Sequence, residues 1–143
     1  MTNIKLIAFG FIPFLLGWAM DFVTRLHDYS VALPVLFISG GTICIWAVAA
    51  FLFSRQGILM RKVVLLMNLV AFVDLVLLGV QELFIGYNAI GIWTQYFYMP
   101  VMMPGVMLLW MVPISLFAIY CVCFVTLLIA SFVGCKCYKK CKK

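Results

Sequence analysis

The sequence predicts an all-helical membrane protein, a bundle of four transmembrane helices. Composition is the first reason: of 143 residues, 68% are hydrophobic and 10% are charged, and the mean hydropathy is +1.25. Soluble domains are about 45–50% apolar and about 25% charged, and a chain this short cannot bury such an apolar excess. Length is the second reason, because four apolar runs reach the roughly 20 residues that cross a bilayer as a helix. We therefore interpret residues 1–143 as one transmembrane domain.

The first two apolar runs cover residues 4–24 and 31–53. Pro13 is expected to kink the first run, since proline removes a helical hydrogen bond. A cleaved signal peptide is the alternative interpretation of this run, because a lysine precedes its apolar core and small residues follow it. In the second run, Gly40 and Gly41 predict close contact with a neighbouring helix, since small residues let membrane helices approach.

The third apolar run, residues 63–84, carries an acid near its middle, Asp74. A charge at that depth costs roughly 2.5–3.5 kcal/mol on insertion scales. We therefore expect Asp74 to be largely protonated and to face the other helices rather than lipid. Intramembrane acids mark proton or cation paths, or pair with a basic group of a partner protein. A structural hydrogen bond between helices is the alternative role.

The remaining chain divides into three segments. Residues 86–104 combine aromatic residues with glycines and prolines, a composition that predicts an outer loop lying on the membrane–water interface or dipping into it. Residues 105–133 form the fourth apolar run, which is longer than a span requires. Residues 134–143 form a basic tail that contains cysteines.

The distribution of charge predicts which way the chain crosses the membrane. With four spans, nine of the ten lysines and arginines fall on one side, and only Arg25 falls on the other. This asymmetry predicts a multi-pass protein of the plasma or bacterial inner membrane with both termini in the cytoplasm. Arg25 and Glu82 fall at the same outer depth and are a candidate ion pair. The nine residues are Lys5, Arg55, Arg61, Lys62, Lys136, Lys139, Lys140, Lys142 and Lys143.

This topology resembles that of the tetraspanins in its four spans, cytoplasmic termini, short first outer loop and cytoplasmic cysteines. The large outer domain of that family, with its paired cysteines, has no counterpart here, because residues 86–104 contain no cysteine. The resemblance is one of topology alone and implies no function.

Four polar residues accompany Asp74 as candidates for an intramembrane site. Gln81, seven residues after Asp74, lies close to the same helix face, whereas Asn68 lies about 120° away around the helix. Thr42 falls at the depth of Asp74, so its hydroxyl is expected to form a hydrogen bond with the carboxyl group and lower the cost of burial. The hydroxyl of Ser39 is a further candidate for a bond between helices.

The tail offers two kinds of chemistry. Cys135, Cys137 and Cys141 are candidates for S-palmitoylation, with free reduced thiols as the alternative. They do not complete a zinc site, which needs four ligands. No folded module for binding nucleic acid accompanies the basic residues. The residues expected to attract anionic lipid head groups are Lys136, Lys139, Lys140, Lys142 and Lys143.

These observations favour a non-enzymatic accessory, regulatory or immunity-type subunit that binds another integral membrane protein or further copies of itself. The alternative is a small oligomeric ion channel or proton-coupled transporter that uses Asp74. An enzyme is the least favoured class, because no nucleophile and base can be paired. The only histidine, His27, is expected in a solvated turn. No cofactor is predicted.

Overall fold

A computed structural model of the protein describes residues 2–26, 35–82, 96–102 and 116–141. Within these ranges the chain is helical between short turns and contains no strand, which confirms the all-helical prediction. The helices are α1 (Thr2–Gly10), α2 (Ile12–Leu26), α3 (Val35–Arg55), α4 (Met60–Met67), α5 (Leu69–Val80) and α6 (Leu116–Cys141).

The apolar runs form helices long enough to cross a membrane. Three helical stretches in the described ranges qualify, Asn3–Val23, Phe37–Arg55 and Phe117–Cys141, with mean hydropathies of 1.9, 1.9 and 2.4. A fourth is obtained when α4 and α5, which are bent by 41°, are counted as one span. Many large apolar side chains are exposed along these helices, as expected of surfaces that face lipid. The described helices are therefore those of a membrane protein.

The first of these stretches is interrupted at Phe11, where α1 gives way to α2. Pro13 lies two residues further on, and it has no N–H to donate to the carbonyl group of Phe9. The break lies where the sequence predicted a kink. It leaves α1 packed against α4, and α2 packed against residues 96–102.

Helices α3 and α6 form the most extensive helix pair of the described chain, and they run in the same direction. Gly134 lies against the backbone of Ala47, and one turn further along both helices the ring of Tyr138 meets that of Phe51 edge-on, at 5.9 Å between centroids. The connector that follows Arg55 therefore lies at the same end of the molecule as the last turns of α6.

The third apolar run, predicted as one helix over residues 63–84, forms two helices. They meet at Asn68, whose side-chain Nδ2 donates to the Val64 carbonyl oxygen at 2.8 Å, while its backbone N–H lies at 3.4 Å from the same oxygen. Such local side-chain bonds compete with the helical ladder and bend helices. The second helix, α5, runs antiparallel to α6, as three contacts indicate: Asn68 with Ser131, Phe72 with Phe124 and Gly79 with Phe117.

Residues 96–102, which belong to the loop predicted to lie on the interface or dip into it, lie between the helices. We call them the inserted segment. It packs against α2 and α3, and the Tyr98 hydroxyl donates to the Ala71 carbonyl oxygen of α5 at 2.7 Å. Packing between the helices buries the large side chains of this segment. The fully buried side chains of the segment are Phe97, Tyr98, Pro100 and Val101.

Candidate functional site

A polar cluster of three side chains lies buried where α3, α6 and the α4–α5 junction meet. The Trp46 indole Nε1–H donates to Asn68 Oδ1 at 3.2 Å. Asn68 Nδ2 donates to Ser131 Oγ and to the Val64 carbonyl oxygen, both at 2.8 Å. The Ser131 hydroxyl donates in turn to the Leu127 carbonyl oxygen at 2.8 Å. Trp46, Asn68 and Ser131, each no more than 2% exposed, are called the Asn68 cluster below.

The bonds of the Asn68 cluster leave its amide no free donor. Oδ1 accepts one bond, and both hydrogens of Nδ2 are donated. The ring of Phe9 packs on Trp46 at 5.3 Å between centroids, which extends the contact to α1. Because an unpaired polar group in a low-dielectric core is costly, these bonds favour one arrangement of the helices over others. The hydrogen bonds of the Asn68 cluster therefore serve to stabilise the arrangement of the helices.

The sequence pattern indicated Asn68 but neither of its two side-chain partners. Trp46 lies 22 residues before Asn68 and Ser131 lies 63 residues after it, in runs that are apolar on every side. A buried amide needs several partners, so the expected depth of Asn68 was a signal that a hydroxyl or indole N–H lies opposite. Nothing in the pattern indicated which one.

Asp74 lies half-buried on α5, close to the inserted segment. The Tyr98 phenol lies within electrostatic range of its carboxyl group. Oδ2 of Asp74 is buried and has no hydrogen-bond partner in the described chain. The expected bond from Thr42 is not formed, because the Thr42 hydroxyl donates to the Ile38 carbonyl oxygen of its own helix at 2.8 Å.

Gln81 and Ser39 also have buried oxygens without hydrogen-bond partners among the described residues. Gln81 caps the end of α5 two turns beyond Asp74, so two buried oxygens without described partners lie along one side of this helix and its cap. Ser39 is buried on α3, and the bond between helices that the sequence predicted for its hydroxyl is not formed in the described part.

The predicted ion pair of Arg25 with Glu82 lies partly outside the described residues. Glu82 is exposed, whereas the structure does not describe the side chain of Arg25 or residues 27–34. The acid that precedes Arg25, Asp21, accepts a hydrogen bond from the Tyr96 hydroxyl at 2.9 Å. This bond joins α2 to the inserted segment.

The tail continues as the last turns of α6. Cys135 is fully buried, and its thiol donates to the Ala50 carbonyl oxygen at 3.8 Å. An acyl donor cannot reach a buried thiol, so Cys135 is removed from the palmitoylation candidates, and Cys137 and Cys141 remain as exposed thiols. The tail lysines Lys136, Lys139 and Lys140 are exposed, while Lys142 and Lys143 lie outside the described residues.

The glycine pair of α3 faces outward. Gly40 and Gly41 are exposed, and a Cβ atom added to either would meet nothing within 4 Å. The contact that the sequence predicted for this pair is therefore not made with the described helices. Phe37, Ile45 and Val48, all exposed, lie on the same helix around the pair. We call these five residues the α3 outer face.

The fold and its buried polar cluster define the class as an all-helical membrane protein. Comparisons of the chain with protein-family models, with curated proteins and with solved structures find no match.

Proposed function

We propose that the protein is a non-enzymatic accessory, regulatory or immunity-type subunit that binds another integral membrane protein through the α3 outer face. The observation that carries this proposal is the outward-facing pair Gly40–Gly41. Helices associate in membranes by van der Waals packing, and small residues permit the closest approach. A glycine pair that no described helix of its own chain covers offers such a surface to a helix of a partner.

Close helix packing at a glycine also occurs inside the molecule, which supports the proposal. Gly134 lets α6 approach the backbone of α3 at Ala47. One side of α3 is thus packed by a glycine contact within the chain, and another side presents its own glycines. A partner helix with small residues on its surface would pack against the α3 outer face as closely as α6 packs against α3 at Gly134.

The proposal includes four spans, with α4 and α5 counted as one, and cytoplasmic termini. The connector that carries Arg61 and the tail that carries Lys139 lie at the same end of the molecule, since both residues line one groove. The positive-inside rule favours the cytoplasm for that end. The host membrane is proposed to be a plasma membrane or a bacterial inner membrane.

Replacing Gly41 with isoleucine is expected to abolish partner binding while the protein still folds, because Gly41 is exposed and a Cβ atom there meets none of the described residues within 4 Å. The measurement is the yield of cross-linked complex, by quantitative mass spectrometry, from membranes that express the full chain at its native level. Ala19→Ile is the control, since it places the same isoleucine side chain at an exposed position of α2.

An undiminished complex in the Gly41→Ile variant would contradict the proposal, as would recovery of the wild-type protein as a lone monomer. Two differently tagged copies of the chain identify the partner class. Co-purification of both tags, lost in Gly41→Ile and kept in Ala19→Ile, would identify the partner as a second copy.

A second function is favoured by the aligned buried oxygens of Asp74 and Gln81. Intramembrane acids mark proton and cation paths, so an oligomer that places these oxygens on a shared path would act as a channel or proton-coupled transporter. Asp74→Asn preserves the shape of the side chain and removes the titratable group. We expect it to remove most of any proton flux in liposomes that hold the purified protein. Glu82→Gln, at an exposed site, is the control, and an unchanged flux in Asp74→Asn would exclude this function.

A further inference from the structure

A groove of about 700 Å³ lies between the start of α4 and the end of α6. Its wall is apolar, and two cationic residues, Arg61 and Lys139, lie on its polar side. We call it the basic groove. The apolar wall is formed by Leu59, Met60, Val64, Leu65 and Phe132.

The charged residues known to line the basic groove are both cationic. No described residue of its lining is acidic, so Arg61 and Lys139 have no counter-charge within the described part of the groove. A third cation lies beside it, because Lys136 Nζ sits 4.7 Å from the centre of the Phe132 ring. Asp74 lies further along α5 and Glu82 lies two residues beyond its end, and α5 leads away from this end of the molecule.

We propose that the basic groove binds one anionic phospholipid, with the phosphate held between Arg61 and Lys139 and an acyl chain along the apolar wall. A guanidinium group can bind two phosphate oxygens at once, and a lysine adds a second positive charge. The volume lies within the range of about 300–1,000 Å³ that is usual for small-molecule sites. This inference does not depend on the proposed function, since it uses a different face of the molecule.

The wall of the groove distinguishes a lipid from a soluble phosphate. Leu65 is 69% exposed and Leu59 is 77% exposed, on a stretch of chain that enters a membrane-spanning helix pair. Inorganic phosphate contacts only the cations. A phospholipid also covers the exposed apolar side chains, and every methylene group it buries adds to binding.

The test measures lipid bound to the full-length protein by native mass spectrometry in detergent, titrated separately with phosphatidylglycerol and with phosphatidylcholine. Arg61→Gln combined with Lys139→Gln is expected to weaken phosphatidylglycerol binding roughly 30-fold, the effect of two lysine or arginine contacts with anionic lipid. Arg55→Gln combined with Lys140→Gln removes the same formal charge from exposed positions that do not line the groove. This control is expected to retain near-native affinity, and phosphatidylcholine binding is expected to be weak in all three proteins.

Equal losses in the two double variants would overturn the inference, because they would indicate attraction to net charge rather than to a site. Val64→Trp fills the apolar wall and keeps both cations, and it is also expected to weaken phosphatidylglycerol binding. Unchanged affinity in that variant would overturn the acyl-chain contact. Inorganic phosphate is added as a competitor in a final arm. Displacement of the lipid at equal concentration would identify a simple anion site and contradict the proposal.

Discussion

Replacing Gly134 with alanine is expected to force α3 and α6 apart and to cost about 3 kcal/mol or more of the free energy of unfolding. The added Cβ would fall inside contact distance of the Ala47 carbonyl oxygen and close to Ala50 Cβ, at 3.1 Å. Overpacking in a core typically costs about 1–3 kcal/mol, and here the obstacle is backbone, which no rotamer change can move aside. The expected cost therefore lies at or above the upper end of that range.

The measurement is equilibrium unfolding in mixed micelles, followed by far-ultraviolet circular dichroism as the fraction of denaturing detergent rises. Gly41→Ala is the matched control, because it makes the same chemical change at a helical site where the new Cβ meets nothing. Its expected effect is within about 0.5 kcal/mol, as for other surface changes. Similar losses in the two variants would contradict the α3–α6 contact as the cause, because alanine is the better helix former and destabilises neither helix by propensity.

Gly134 also illustrates what the sequence could not predict. The pattern drew attention to Gly40 and Gly41, because adjacent glycines in a membrane helix are a known packing signal. In a soluble helix, polar residues mark the outer side and so orient the inner one. A helix such as α3 is apolar all around, since lipid and core are both apolar, and its sequence does not distinguish the two sides. The existence of the helix was therefore predictable, whereas its rotation about its own axis was not.

The polar residues were more informative, because each is expensive in lipid. The sequence indicated Asn68 and Asp74 as separate candidates. In the structure they have different neighbours, because Asn68 belongs to the Asn68 cluster and Asp74 lies close to the inserted segment. Their neighbours were missed for a common reason. Trp46, Ser131 and Tyr98 are ordinary residues in apolar runs, and only the packing of distant segments makes them partners.

The packing of the inserted segment against the helices likewise had no local signal. Aromatic residues with prolines favour a membrane boundary, and this composition predicted an interfacial loop. Gly17 instead leaves room on α2 for the backbone of Tyr96, where an added Cβ would collide with the Tyr96 carbonyl oxygen. Contact between segments that lie 79 residues apart in sequence (96 − 17) leaves no local signal.

Replacing Asn68 with leucine is expected to lower the free energy of unfolding by about 2–3 kcal/mol. Leucine has nearly the same size, so the change removes hydrogen bonds without opening a large cavity. Three bonds are lost, and the Trp46 N–H is left buried without its acceptor. Bonds between membrane helices average about 0.6 kcal/mol and reach about 1.7 kcal/mol, and an unpaired buried group adds its own cost.

The same unfolding titration measures this loss, with Ser54→Ala as the control. Ser54 is buried, but its hydroxyl has no hydrogen-bond partner among the described residues, so its removal is expected to change stability by less than about 0.5 kcal/mol. A double-mutant cycle of Asn68→Leu with Ser131→Ala then isolates the bond between α4–α5 and α6. Coupled residues give interaction energies of about 0.5–3 kcal/mol. Strictly additive losses of the free energy of unfolding would mean that the hydrogen bond between Asn68 and Ser131 does not stabilise the fold. In that case the 41° bend at Asn68 would have to be maintained by packing alone.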